Sequence, residues 1–186
     1  MIDRRYYSLS LLSWRARVIY SGFYPDSMKL LDLIIYTHWA DDVYIKYAEG
    51  LTEDQFKETV PGVNKNLRQL LNHIYATYWG EYHLITDMDW SSEPDFSQIT
   101  REEIISGIKE MNGKIVEYIK NTPLDTPIEF EDEGKQIKTN AEEIIFNFVT
   151  HSAYHRGQMA LLLRYHGLES IKQTDYNPYL YEMSHK

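Results

Sequence analysis

The run FVTHSAYHRGQMALLLRYHG, residues 148–167, restricts the fold more than any other stretch of the chain. With Ile144 and Ile145 before it, its residues Phe148, Ser152, Met159 and Leu162 form a stripe at helical period. Thr139 and Glu142, three apart, read as a capping box at the start of this helix, and Gly167 supplies a left-handed stop. On the same inward face stand His151 and His155, four apart and therefore one turn apart, projecting in one direction. A buried imidazole needs a hydrogen-bond partner. Two on one buried face call for a common one.

Three further segments carry the same period. Residues 28–49 place apolar or aromatic side chains at 30, 31, 34, 35, 39 and 45 and stop at Gly50. NLRQLLNHIYATYWGEYHLITDM aligns Leu67, Leu70, Leu71, Ile74, Tyr78 and Leu84, separated from the first segment by Pro61-Gly62. The third opens on the capping box Thr100/Glu103 and closes at Asn121-Thr122-Pro123. Between it and the last helix, TPLDTPIEFEDEGKQIK has β-favouring pieces around Glu131-Asp132-Glu133-Gly134, the pattern of a short hairpin or extended loop. Four such helices joined by polar connections predict an all-α fold, a four-helix bundle. Residues 1–27 have no clear period and read as an N-terminal extension to which we assign no chemistry; residues 28–186 make up the bundle domain.

Composition narrows the functional classes. The 186 residues suit one domain. A net charge of −9 disfavours nucleic acid, whose phosphates demand clustered Lys and Arg. With no cysteine, a metal must be held by His and carboxylates, and neither a disulfide nor a protein thiolate is available. Apolar runs such as MALLLRY fall far short of the ~20 residues that span a bilayer, so we expect a cytoplasmic protein with no membrane partner.

A core histidine satisfied by a hydrogen bond is the plain reading of any one of these residues. A shared cation is the alternative for the pair, since neutral imidazoles each keep a lone pair. Two ligands make a weak site; His73, beside Leu70 and Ile74 in the second helix, is the candidate third. His38, followed by Asp41 and Asp42, is a further candidate site residue. Arg156 either stabilises an anion near the metal or salt-bridges to a neighbouring helix. His166 reads as a capping or surface residue, and His83 and His185 as solvent-facing.

These residues match a known pattern. HSAYHRGQMALLLRYHGLES resembles the C-terminal helix signature of the DinB/YfiT-like family, a helical-bundle group distinct from the DNA polymerase that shares the DinB name. LIIYTHWADD, LRQLLNHI and TDYNPYL are similar to its first-helix, second-helix and closing segments, so the resemblance runs over about residues 28–182. It implies up-down-down-up topology and a divalent metal, zinc or nickel, on His73, His151 and His155. It also implies kinship with enzymes that join low-molecular-weight thiols to electrophiles. One departure stands out: Ile74, Tyr75, Ala76 and Thr77 follow His73, with no adjacent carboxylate to orient the ring.

Three protein ligands with an open fourth position are the pattern of a catalytic zinc site. The first expectation is metal-dependent transfer of a small thiol, as co-substrate, to an electrophile, with Arg156 and His38 as catalytic candidates. A metal-dependent hydrolase and a non-catalytic metal or small-molecule binding bundle are the alternatives. The expected partner is a small-molecule substrate, and a homodimer is the assembly to test.

Overall fold

The computed structural model describes residues 26–185. Along the chain run α1 (Asp26–Glu49), α2 (Glu53–Lys57), α3 (Leu67–Thr86), a 3₁₀ turn (Trp90–Ser92), α4 (Arg101–Asn121), β1 (Pro127–Asp132), β2 (Lys135–Asn140), α5 (Ala141–Tyr165) and α6 (Tyr176–Met183). The four long helices are the four periodic segments. The proposed extension, apart from its last two residues, lies outside the described residues, and α1 opens at Asp26 rather than Met28.

Local chemistry explains the boundaries. Thr100 and Glu103 form the capping box of α4 as expected, and Asn66/Gln69 and Thr52/Gln55 form two more at α3 and α2. The cap of α5 sits one residue later than expected. Thr139 lies in the β ladder opposite Ile128, and Asn140, the last ladder residue, opposite Pro127, caps the helix by accepting from the Glu143 N–H. The β1–β2 hairpin turns through Glu133 (φ 47°) and Gly134 (φ 77°), the two consecutive left-handed residues that a tight two-residue hairpin requires.

Side-chain contacts give the topology. Arg68 donates to the Ile99 carbonyl, Gly107 abuts Tyr75, and Lys114 lies over the Tyr82 ring, so residue numbers rise together and α3 and α4 run parallel. A Cβ on Gly107 would stand 2.2 Å from the Tyr75 ring, so only glycine allows that approach. His38 faces Phe148 while Asp41 meets Ser152 and Arg156, so α1 and α5 are parallel as well. His73 meets His155 and Glu81 meets Asn147, so α3 and α5 are antiparallel. Arg101, at the start of α4, donates to the Ala48 carbonyl at the end of α1, making that pair antiparallel. The bundle is up-down-down-up, with α3 and α5 lining one seam.

The core includes the fully buried Tyr78, Phe148 and Phe56, the first two stacked at 3.7 Å between centroids. α6, which helical period did not reveal, docks on α1 through aromatic edges: Tyr36 meets Tyr176 and Tyr179 at 5.1 and 5.6 Å, and its hydroxyl donates to the Thr174 carbonyl at 2.7 Å. Among the described residues no helix is long and apolar enough to cross a membrane.

Candidate metal centre

The α3–α5 seam brings His73, His151 and His155 together across nearly 80 residues of sequence. One ligating nitrogen from each lies within 4.8 Å of the others. His151 Nε2 is 3.3 Å from His73 Nε2 and 2.9 Å from His155 Nε2. His155 is buried, the other two half-buried, and all three line a cleft of about 540 Å³ with Lys65, Tyr154 and Gln158 at its wall.

The electrostatics keep these rings neutral. Burial, then the neighbouring rings His155 and His73, lowers the pKa of His151 to about 4. Burial likewise lowers His73, with His155 and Lys65 adding to it, and lowers His155 against a smaller opposing effect from Gln158. A neutral imidazole is the ligating form.

Gln158 decides which nitrogen of His155 is free to ligate. Its Oε1 lies 2.9 Å from His155 Nδ1 and can only accept, so Nδ1 carries the proton and Nε2 presents its lone pair to the cluster. If His151 Nε2 in turn donates to His155 Nε2, His151 Nδ1 is left as a bare acceptor, buried and without a hydrogen-bond partner among the described residues. Protein hydrogen bonds alone therefore satisfy the trio incompletely. In a tetrahedral zinc site with bonds of 2.0–2.1 Å, ligand nitrogens stand about 3.3 Å apart, close to the separations here. The donor set fits a divalent cation, and the three-His cluster is compatible with a metal site.

The remaining candidates stand apart from this trio. Arg156, although it follows His155 directly, points to the α1 side: its Nη1 donates to Asp41 Oδ1 at 2.8 Å and lies 2.5 Å from Ser152 Oγ. Asp41 also accepts from the Ser152 hydroxyl at 2.5 Å and the Tyr78 hydroxyl at 2.8 Å, closing a buried network that joins α1, α3 and α5. Of the two roles open to Arg156, its contacts are those of the interhelical salt bridge. His38 sits on α1 with its ring T-shaped to Phe148, its Nε2 buried without a partner among the described residues and its pKa lowered by burial to about 4.

His83 departs from expectation: it is 4% exposed, stacked on Trp79 at 3.6 Å, with Nδ1 2.8 Å from the Trp79 carbonyl. The Trp one turn before it covers the ring that would otherwise meet solvent. His166 occupies the C-cap of α5 as read, but its ring is buried, with Nδ1 3.6 Å from Glu58. His185 is exposed. Sequence reasoning missed Glu81, buried in the same seam and accepting from Asn147 at 2.6 Å. Burial raises its pKa to about 7, against a lowering by Asn147. Its position two turns beyond His73 was the available signal.

Comparison with known proteins agrees with this architecture. The DinB family profile matches residues 27–183. Protein DinB of Bacillus subtilis (strain 168) is 24% identical over 156 residues, which cover 78% of this chain and 90% of that protein. Two crystal structures share the fold. A DinB-like protein from B. subtilis superposes with a TM-score of 0.59 at 16% identity, over 77% of this chain and 97% of its own. A DinB-like protein from Bacillus cereus does so with 0.53 at 20% identity, over 73% and 91%. With the family profile spanning all four long helices and the three histidines meeting on the seam they create, the chain belongs to the DinB family.

Proposed function

We propose that His73, His151 and His155 hold a divalent metal, zinc or nickel, and that the protein transfers a low-molecular-weight thiol to an electrophile. The observation that carries this reading is the convergence of the three neutral imidazoles, one nitrogen each within 4.8 Å, at the wall of an open cleft. When bound, the ion supplies Lewis acidity that lowers the pKa of a thiol at its open coordination position. A chain without cysteine has to take its sulfur nucleophile from solution, which favours a thiol co-substrate.

The protein's own residues hold and orient. Gln158 keeps His155 in the tautomer that ligates through Nε2. Lys65, on the loop that closes the cleft, places a positive charge where an anionic thiol or leaving group arrives. Arg156 acts as a positioning residue: by tying α5 to Asp41 on α1 it holds the rotation of α5 that turns His151 and His155 toward His73. His38, packed against Phe148 of α5, supports the same interface.

Elemental analysis of untagged protein should find close to one metal per chain, and metal-loaded protein should consume a small thiol in the presence of an alkylating electrophile. Absence of metal after loading with zinc or nickel overturns the site. Ester or amide hydrolysis without thiol consumption overturns the reaction and favours the hydrolase.

A further inference from the structure

A second cleft, of about 520 Å³, opens between the end of α3 and the edge of β1. It contains His83, ten residues and therefore roughly 15 Å along α3 from His73, at the other end of the seam. Its walls carry an unusual combination: the rings of His83, Trp90 and Phe130, the aliphatic Ile128, and the carboxylates of Asp87 and Glu129.

Each feature is set for a positive ligand with an apolar part. Trp90 leaves 47% of its surface exposed while its ring packs on Trp79 at 5.4 Å and 74° and on His83 at 5.9 Å, so a large aromatic surface is held in place and left partly open. Aromatic faces attract cations. His83 is 96% buried, being 4% exposed, yet lines the cleft. Its Nδ1 must carry the proton, because its partner, the Trp79 carbonyl, can only accept. No described residue hydrogen-bonds its Nε2, which leaves that nitrogen without a protein partner at the cleft.

Asp87 adds a charge that no described residue pairs. It caps α3 in the left-handed conformation (φ 50°), and the cleft lies at the C-terminal, negative end of that helix. Glu129 shares its charge with Lys138 across the hairpin at 2.8 Å and contributes less. Among the described residues lining the cleft there is no Lys or Arg. Acceptors, π-faces and negative charge converge, and the one cation described at these carboxylates, Lys138, is held by Glu129 and leaves Asp87 unpaired among the described residues.

We propose that this cleft is a binding site for a small organic cation, an amine or quaternary ammonium carrying an apolar group, separate from the histidine cluster. The cationic head is placed between Asp87 and the Trp90 face, with an N–H donor, where the ligand has one, directed to His83 Nε2 and the apolar group against Ile128 and Phe130.

Benzyltrimethylammonium titrated into the ¹⁵N-labelled full chain tests this, with benzyl alcohol as the neutral comparison. Saturable shifts are expected in the Trp79 and Trp90 indole N–H signals and in the amides of 83–90, 126 and 128–130, with a Kd of roughly millimolar or tighter. Benzyl alcohol should bind at least about tenfold more weakly, a difference of ~1.4 kcal/mol. Asp87→Asn should weaken the cation about tenfold without disturbing the fold, since Asn tolerates the left-handed backbone. Trp90→Ala, at an exposed position, should abolish saturation. Equal binding of benzyl alcohol, an unchanged Kd in Asp87→Asn, or shifts confined to other surfaces would each overturn the proposal, and none of these outcomes depends on metal at the three histidines.

Discussion

Arg156 Nη1 meets Asp41 Oδ1 at 2.8 Å with both side chains less than a tenth exposed, so α1 and α5 are joined by a buried ion pair one residue away from His155. Ser152 and Tyr78 donate to the same carboxylate. Breaking such a pair strands a charge in the core, which costs about 3–5 kcal/mol. Arg156→Met is expected to destabilise by that amount in urea unfolding. In a double-mutant cycle with Asp41→Leu the second substitution should cost much less than it does alone. Additivity within about 0.5 kcal/mol would mean the two residues are not coupled.

For the metal site, His73→Ala, His151→Ala and His155→Ala should each lower zinc affinity more than about tenfold, ~1.4 kcal/mol or more. His38→Ala and His166→Ala should leave it intact, because neither ring belongs to the cluster that the seam assembles. Competition against a chelating dye measures all five. Loss of metal in His38→Ala with retention in His73→Ala would move the third ligand to α1.

Gln158 affects the same titration from one step further out. Removing a hydrogen bond that fixes a ligand's tautomer typically lowers metal affinity 10- to 100-fold, so Gln158→Leu should bind zinc that much more weakly while remaining as helical as the parent. An unchanged affinity would show that His155 finds its tautomer without the 2.9 Å contact.

Glu81 gives the fold a pH signature. Its carboxyl is raised from 4.5 to about 7 by burial, so the folded chain holds this proton more tightly than the unfolded chain does. Between those values the folded state binds more protons, and stability therefore falls as pH rises. The penalty is absent below about pH 4.5 and complete above about pH 7. Glu81→Gln, which keeps an acceptor for Asn147, should be near neutral at the acid end and stabilising by up to roughly 3 kcal/mol above pH 7. Urea midpoints at the two ends of this window measure it; the same change at both would place the ionisation elsewhere.

The local parts of this protein are written in its sequence. Helical period along residues 67–84 and 144–162 marks the faces that become core, and Thr100 with Glu103 marks the start of α4, because periodicity and capping depend on residues within a turn or two of each other. The pairing of His151 with His155 is local in the same sense, and so is Gln158, one turn from the ring it orients. Where a short-range signal was shared, the tertiary structure decided. Thr139 read as the cap, yet the ladder runs one residue further, and Asn140, the last residue of β2, caps the helix instead. His83 is polar in an alternating stretch, yet the stacking of Trp79 buries it.

The composition of the site was decided by packing alone. Antiparallel α3 and α5 bring His73 to His151 and His155, while parallel α1 and α5 bring Asp41 to Arg156. The identities of these residues permit either partnership for the HSAYHRGQ segment. Adjacent residues on a helix point about 100° apart, so His155 and Arg156 are committed to different neighbours once the rotation of α5 is set. That rotation follows from the burial of Phe148, Met159 and Leu162 among residues distant in sequence. No window of the chain contains those contacts, which is why the sequence determined the donor types available and the fold determined which side chains meet.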